Sequence, residues 1–203
     1  MTIIVNIAGT SGAGKTAVVR HLIANSTHAA TMWATVGEQT EEREVGRVVH
    51  LGERSIFIAG RYDEDLDSGG CDTIHDISFW FDTFWEQAQT HDVVFEGLFV
   101  MNHTRGLGLA RKSLDAGKPF HVISLTTPLE QCKVSINERR ARRGQGAFDR
   151  SWRNVEGNVV RANNFAFKLK QIGATVYKLD RAAAAEKLVG LFNDCGKHPG
   201  HIG

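Results

Sequence analysis

Gly9-Thr-Ser-Gly-Ala-Gly-Lys15-Thr16 decides the fold of this chain. It matches G-x-x-x-x-G-K-[ST], a loop that cradles phosphates. The run Ile3-Ile-Val-Asn-Ile-Ala8 before it is β-branched and predicts a buried strand. After it, Thr16-Ala-Val-Val-Arg-His-Leu-Ile23 places apolar residues at helical spacing and predicts a helix over 15–25. Between strand and helix, the loop's backbone N–H groups turn toward phosphate oxygens, and the helix N-terminus adds its positive dipole end. Gly9, Ser11, Gly12, Ala13, Gly14, Lys15 and Thr16 are therefore the expected nucleotide-binding residues. Lys15 can reach the β- and γ-phosphates, and the Thr16 hydroxyl can ligate Mg²⁺. The alternative is a glycine-rich turn with no ligand, which would not require the strand and helix flanks.

Working outward, β-type and helical segments alternate. Thr31–Val36 predicts a short strand, followed by an acidic stretch from Glu38 to Glu44. Arg47–Leu51 and Ser55–Ala59 flank Gly52-Glu-Arg54 and predict a hairpin. Residues 61–70 are polar and read as a loop. Residues 74–88 are aromatic-rich and helical in pattern, with Trp80, Phe81, Phe84 and Trp85 expected in the core rather than on a base-stacking face. Strands are predicted at 92–96, 120–125 and 175–179. Helices are predicted at 106–116, 129–143, 151–172 and 181–192. The expected fold class is α/β: a parallel sheet with helices on both faces, a small hairpin-bearing, substrate-side insertion at about 45–75 and a basic helical lid at about 137–165. Phosphate sites in such sheets lie at the carboxyl ends of the strands. The 203 residues read as a single domain, residues 1–203, with no internal repeat.

Three further elements carry candidate chemistry. Asp92-Val-Val-Phe-Glu96-Gly97 is an apolar run ending in an acid, about 80 residues after the P-loop. A carboxylate at that strand tip suits Mg²⁺ on nucleotide phosphates, as ligand or as partner of a bound water. The plainer reading is a surface glutamate. From Lys133 to Lys170 there are ten Lys and Arg against three acids. Such a run is usually a solvated face. This surplus, broken by Gly144-Gln-Gly146, suits a lid whose Arg139 and Arg143, four apart, close over a triphosphate. Arg150, Arg153 and Arg161 can equally follow a nucleic-acid backbone. Lastly, Gly60-Arg-Tyr62-Asp63 and Ser68-Gly-Gly70-Cys-Asp72 form a glycine-rich acceptor-side candidate. Arg61 can contact phosphate, Tyr62 can stack on a base, and Gly69 and Gly70 allow close approach of a ligand. Asp72 can take the proton of an attacking hydroxyl or simply cap the next helix. Asp63 and Glu96 are rival bases.

The P-loop, the Glu96-Gly97 strand end and the Arg139-x-x-x-Arg143-Gly segment resemble the nucleotide-kinase-like branch of P-loop kinases. More narrowly, Gly60-Arg-Tyr-Asp63 with Gly69-Gly-Cys-Asp-Thr-Ile74 resembles the phage P-loop kinases that phosphorylate 5-hydroxymethyluracil in DNA. The resemblance implies a parallel-sheet P-loop kinase fold and transfer of the ATP γ-phosphate to the hydroxymethyl oxygen. It implies Lys15 and Thr16 on ATP and Mg²⁺, Asp72 beside the acceptor hydroxyl, and Arg139 and Arg143 in a lid. Modified DNA is the implied partner, and the host cytoplasm the implied location.

Composition bounds the alternatives. Net charge is +1 and no run approaches the ~20 apolar residues of a membrane span. The N-terminal stretch lacks the basic n-region of a signal peptide. Cys71, Cys132 and Cys195 match no zinc spacing and suit a reducing compartment. A kinase of a free deoxynucleotide or other small hydroxylated metabolite remains open, as does a non-kinase nucleotide-binding ATPase. A guanine-reading Asn-Lys-x-Asp is absent from the sequence, which argues against a GTPase switch. Oligomeric state is open, a homodimer included.

Overall fold

The computed structural model of the chain describes residues 1–37, 41–63, 69–98, 100–101, 103–148 and 151–193. Ser68, Arg150, Cys195, residues 38–40 of the acidic stretch and the tail after Gly196 lie outside the described residues.

The strands are β1 (Ile4–Ala8), β2 (Thr27–Thr35), β3 (Glu42–Leu51), β4 (Arg54–Ala59), β5 (Asp92–Glu96), β6 (Phe120–Leu125) and β7 (Thr175–Leu179). The helices are α1 (Lys15–Ala24), α2 (Ile77–Gln87), α3 (His103–Asp115), α4 (Leu129–Arg142), α5 (Arg153–Gln171) and α6 (Arg181–Asn193). Among the described residues the strands form one sheet in the order β2-β3-β4-β5-β1-β6-β7. The five strands from β4 to β7 run parallel, with β1 central between β5 and β6. β1 and β5 are buried along their whole length, as expected of a continuous β-branched run covered on both faces.

The predicted hairpin is present and joins the same sheet as the parallel strands. β2, β3 and β4 form an antiparallel wing on one edge. The predicted short strand at 31–36 is the nine-residue β2, the far arm of that wing. A two-residue Gly52-Glu53 turn can join only antiparallel neighbours, and this forces the departure from parallel order.

Each sheet face has its own core. Val18, Val19 and Leu22 of α1 and Ala184 and Leu188 of α6 cover one face. On the other, Trp80 and Phe84 of α2, Leu109 of α3 and Phe165 and Leu169 of α5 pack over Phe57, Phe95 and Phe120. The Phe84 and Phe95 rings stack with centroids 4.2 Å apart. Each such fully buried side chain contributes about 1.5–3 kcal/mol of transfer free energy. The aromatic run at 77–87 is therefore core, as its helical spacing predicts. Val155, Ala162, Phe165, Ala166 and Leu169 of α5 are also buried, so the C-terminal half of the predicted lid segment is a packed helix.

Candidate functional site

β1 ends at Ala8, and the chain turns through residues 9–14 into α1. Gly14 sits at the head of α1 with φ 97°, a left-handed conformation that a side chain would strain. Three side-chain hydrogen bonds hold the loop, beside the Ala13 N–H to Thr10 carbonyl bond at 3.2 Å. Thr10 Oγ1 donates to the Val155 carbonyl at 2.9 Å, Thr127 Oγ1 donates to the Ala13 carbonyl at 2.8 Å, and Lys15 Nζ donates to the Thr10 carbonyl at 3.2 Å. Lys15 is 7% exposed, so its ammonium is aimed into the loop and not into solvent.

Glu96 stands at the tip of β5, beside the P-loop. Thr16 Oγ1 donates to Glu96 Oε1 at 2.8 Å, joining residues 80 positions apart. Glu96 is 1% exposed. Burial pushes its carboxyl up to about 7, against the pull of the Lys15 ammonium and the Thr16 hydrogen bond. Asp72 adds to the rise, and Arg139 opposes it. A buried acid with this poise accepts a nearby cation readily, because added positive charge favours the ionised form.

Asp72 lies in a single 3₁₀ turn, Cys71–Thr73. Its Oδ2 accepts from Leu98 N at 3.1 Å, which ties the turn to the chain leaving β5. Trp80 Nε1 donates to the Cys71 and Ile74 carbonyls, both at 3.0 Å, so the buried α2 aromatic pins the same turn from behind. Gly70 allows the turn to approach β5: a Cβ there would meet Glu96 Oε1 at 2.6 Å. The alternative reading of Asp72 as the cap of the next helix is corrected, because α2 starts later and Asp76 caps it, accepting from Phe79 N at 2.9 Å.

These parts converge. Lys15, Thr16, Gly69, Asp72, Glu96 and Arg139 line one cavity of about 280 Å³. Ser11, Gly12 and Gly14 of the loop also line it. Gly9 is packed against Ala13 and Leu125. A second cavity of about 630 Å³ adjoins it and shares Gly12, Ser135, Glu138 and Arg181. Ala13, Pro128 and Val134 give this neighbour an apolar wall.

Other predicted residues fall elsewhere. Tyr62 is 3% exposed and packs in the core, its hydroxyl lacking a hydrogen-bond partner among the described residues. Burial, then the nearby Glu96 and Cys71, push its phenol well above the usual range. An enclosed ring offers no stacking face to a base, which corrects that expectation. Arg61 pairs with Asp63 at 2.6 Å and Glu44 at 3.6 Å, and lines a separate cavity of about 320 Å³ with Trp33, Arg43, Thr73 and Ile74. Asp63 is held below the usual carboxylate range by its hydrogen bonds to Arg61 and Arg47, which outweigh its desolvation. Arg143 follows the last turn of α4, is exposed and does not line the 280 Å³ cavity; Arg142 does.

Sequence reasoning missed Arg20, Arg142 and Arg181. Arg20 lies one turn after Thr16 on α1, a spacing that places both on one face. Arg181 opens α6 just past the tip of β7, at the carboxyl edge where phosphate sites are expected. Its stem covers Gly14, where a Cβ would meet Arg181 Cδ at 2.7 Å.

Across 196 residues the chain is 29% identical to a 5-hmdU DNA kinase of Pseudomonas phage PaMx11, covering 88% of this chain and 86% of that protein. No family model matches the chain. The similarity supports a kinase-like relationship and, with it, an enzyme. The mostly parallel α/β sheet is consistent with a P-loop kinase fold. Among the described residues, no helix is long and apolar enough to cross a membrane.

Proposed function

We propose that the protein is an ATP-dependent kinase that transfers the γ-phosphate to a hydroxyl, with the hydroxymethyl group of 5-hydroxymethyluracil in DNA as acceptor. One observation carries this reading: a P-loop lysine, a hydroxyl–carboxylate pair, a second carboxylate and a lid arginine line one small cavity. The similarity to a DNA kinase supports the choice of acceptor.

The loop from Gly9 to Gly14 would hold the phosphates with its backbone N–H groups, and Lys15 the β- and γ-oxygens. The apolar-walled cavity beside it suits the nucleoside end of the donor. Thr16 and Glu96 are hard oxygen donors already in contact, and they fit Mg²⁺. Among the described residues no group of three or more His, Cys, Asp or Glu could hold a metal. When bound, Mg²⁺ would neutralise charge that develops on the β- and γ-phosphates during transfer.

On the acceptor side, Asp72 would orient the attacking hydroxyl and take its proton. The transition state of phosphoryl transfer is loose, so an oriented carboxylate is needed more than a strong base. Arg139 and Arg142 would meet the charge on the transferring group. The lid would consist of the end of α4 and the exposed 143–148 turn, since α5 is packed.

The test is incubation with γ-labelled ATP and DNA carrying thymine, 5-hydroxymethylcytosine or 5-hydroxymethyluracil, beside the free nucleosides and nucleotides. Label on 5-hydroxymethyluracil DNA alone is expected. Label on a free nucleotide instead makes this a small-molecule kinase. ATP hydrolysis with no acceptor labelled makes it an ATPase.

A further inference from the structure

α3 and α5 lie side by side on one face of the sheet. Gly106 of α3 allows the contact, since a Cβ there would meet Phe165 Cζ at 2.5 Å. The His103 and Phe165 rings meet edge to face, with centroids 5.6 Å apart. The two helices carry seven Lys and Arg against two acids, a surplus of five in a chain of net charge +1. The rest of the chain therefore carries a net −4. A helix face that is merely solvated usually interleaves acids and bases. Here Glu156 is the one acid of α5, and the other polar positions of that helix are mostly Asn.

The charge is aligned. Arg153, Arg161 and Lys168 recur at spacings of eight and seven, a single stripe along α5, and all three are exposed. Val160 and Phe167 adjoin the stripe and are 59% and 63% exposed. His103 registers the field: burial lowers its imidazole, and the Lys168 and Arg161 charges lower it further. Its Nδ1 is buried with no hydrogen-bond partner among the described residues.

The first turn of α5 lies at the phosphate site, and α3 begins beyond Leu98, beside Phe165 farther along α5. The chain leaving Glu96 passes Leu98, which holds Asp72, and enters α3 at His103. The first turn of α5 holds the P-loop through the Val155 carbonyl. We propose that the adjoining outer faces of α3 and α5 are the surface along which the DNA backbone lies, delivering a base to the Asp72 corner. This rests on the reading of DNA as acceptor. Each strand presents a phosphate every 3.4 Å of duplex axis, so the roughly 28 Å length of α5, laid along that axis, spans the rise of about eight base pairs. Phe167 offers an exposed ring beside that path.

The experiment measures binding of the intact protein to a duplex carrying 5-hydroxymethyluracil by fluorescence anisotropy, from about 50 to about 200 mM salt, the range in which phosphate neutralisation dominates. Arg161→Gln/Lys168→Gln should weaken binding and reduce the slope of log K against log salt by about two, near 0.9 for each phosphate no longer neutralised. ATP affinity should be unchanged, which also reports an intact fold. Glu156→Gln should tighten DNA binding. Unchanged DNA affinity and slope in the double variant would overturn the surface while leaving the kinase reading intact. Polyglutamate or anionic vesicles bound as tightly as DNA, and released by the same variant, would overturn DNA as its occupant. If labelled ATP marks only free nucleotides while the duplex is still bound through these residues, the acceptor reading fails and delivery of a base to Asp72 is overturned with it, although the DNA-binding face remains.

Discussion

The two sides of the cavity, which the proposed function assigns to phosphate donor and acceptor, are built in different ways. The donor side is one continuous stretch, residues 9–16, leaving a strand and entering a helix. The acceptor side comes from distant pieces: Gly70 against Glu96, Asp72 against Leu98, and Trp80 behind the turn. A continuous site can be read from a motif. An assembled one depends on packing, and its residues are sensitive to substitutions that never touch a substrate.

The comparison predicts effects of descending size. Lys15→Ala should lower transfer by roughly a thousandfold, the upper end for loss of one preorganised donor, with thermal unfolding little changed. Wild-type turnover in that variant would remove the donor side from the account. Arg139→Gln/Arg142→Gln should lower kcat by about a hundredfold, while Arg143→Gln, outside the cavity, should leave it near wild type. Equal losses in the two variants would place the lid differently from the structure.

Trp80→Phe sharpens the contrast. It keeps most of the ring but removes the indole donor shared by the Cys71 and Ile74 carbonyls; Cys71 keeps the Ile74 N–H at 3.2 Å, and the loss at the Ile74 carbonyl costs about 1–3 kcal/mol. Acceptor turnover should fall while ATP affinity holds, as nucleotide titration beside a transfer assay would show. A parallel loss of ATP binding would mean that the two sides are not separable.

The smallest effect is a pH dependence. The carboxyl of Glu96 is raised from its ordinary 4.5 to about 7 by burial. A raised acid stabilises the fold through its neutral form. That contribution is full below the ordinary value and is lost as pH rises through about 7. Without nucleotide, the wild-type Tm should therefore fall between about pH 5 and pH 8 relative to Glu96→Gln. Parallel melting curves would show Glu96 already ionised in the apo fold.

The element order was legible because its periodicities were long and unbroken. β1, β5, β6 and β7 fall within a residue of their predicted spans, and the P-loop's glycines fit their local turns. The antiparallel wing was only half visible. The β3–β4 hairpin had a glycine turn to mark it, whereas β2 has a mostly exposed pattern that hides its pairing. In the site, Lys15, Thr16, Asp72, Glu96 and Arg139 were found by motif and do line one cavity. Tyr62 and Arg61 were misplaced because a sequence does not show which way a side chain leaves a loop. Tyr62 turns into the core, and Arg61 turns to Glu44 and Asp63. Arg142 and Arg181 were missed because helix phase and the tip of β7 select them, and no local pattern marks either.

Single-turnover transfer by Asp72→Asn tests the acceptor side most directly. With ATP and 5-hydroxymethyluracil DNA both saturating, the account predicts normal binding of each and transfer slowed by about a hundredfold or more, the scale of a missing proton acceptor. Glu96→Gln should instead shift the Mg²⁺ requirement. Transfer by Asp72→Asn at the wild-type rate would contradict the account and leave Asp72 as a brace between its turn and the chain at Leu98.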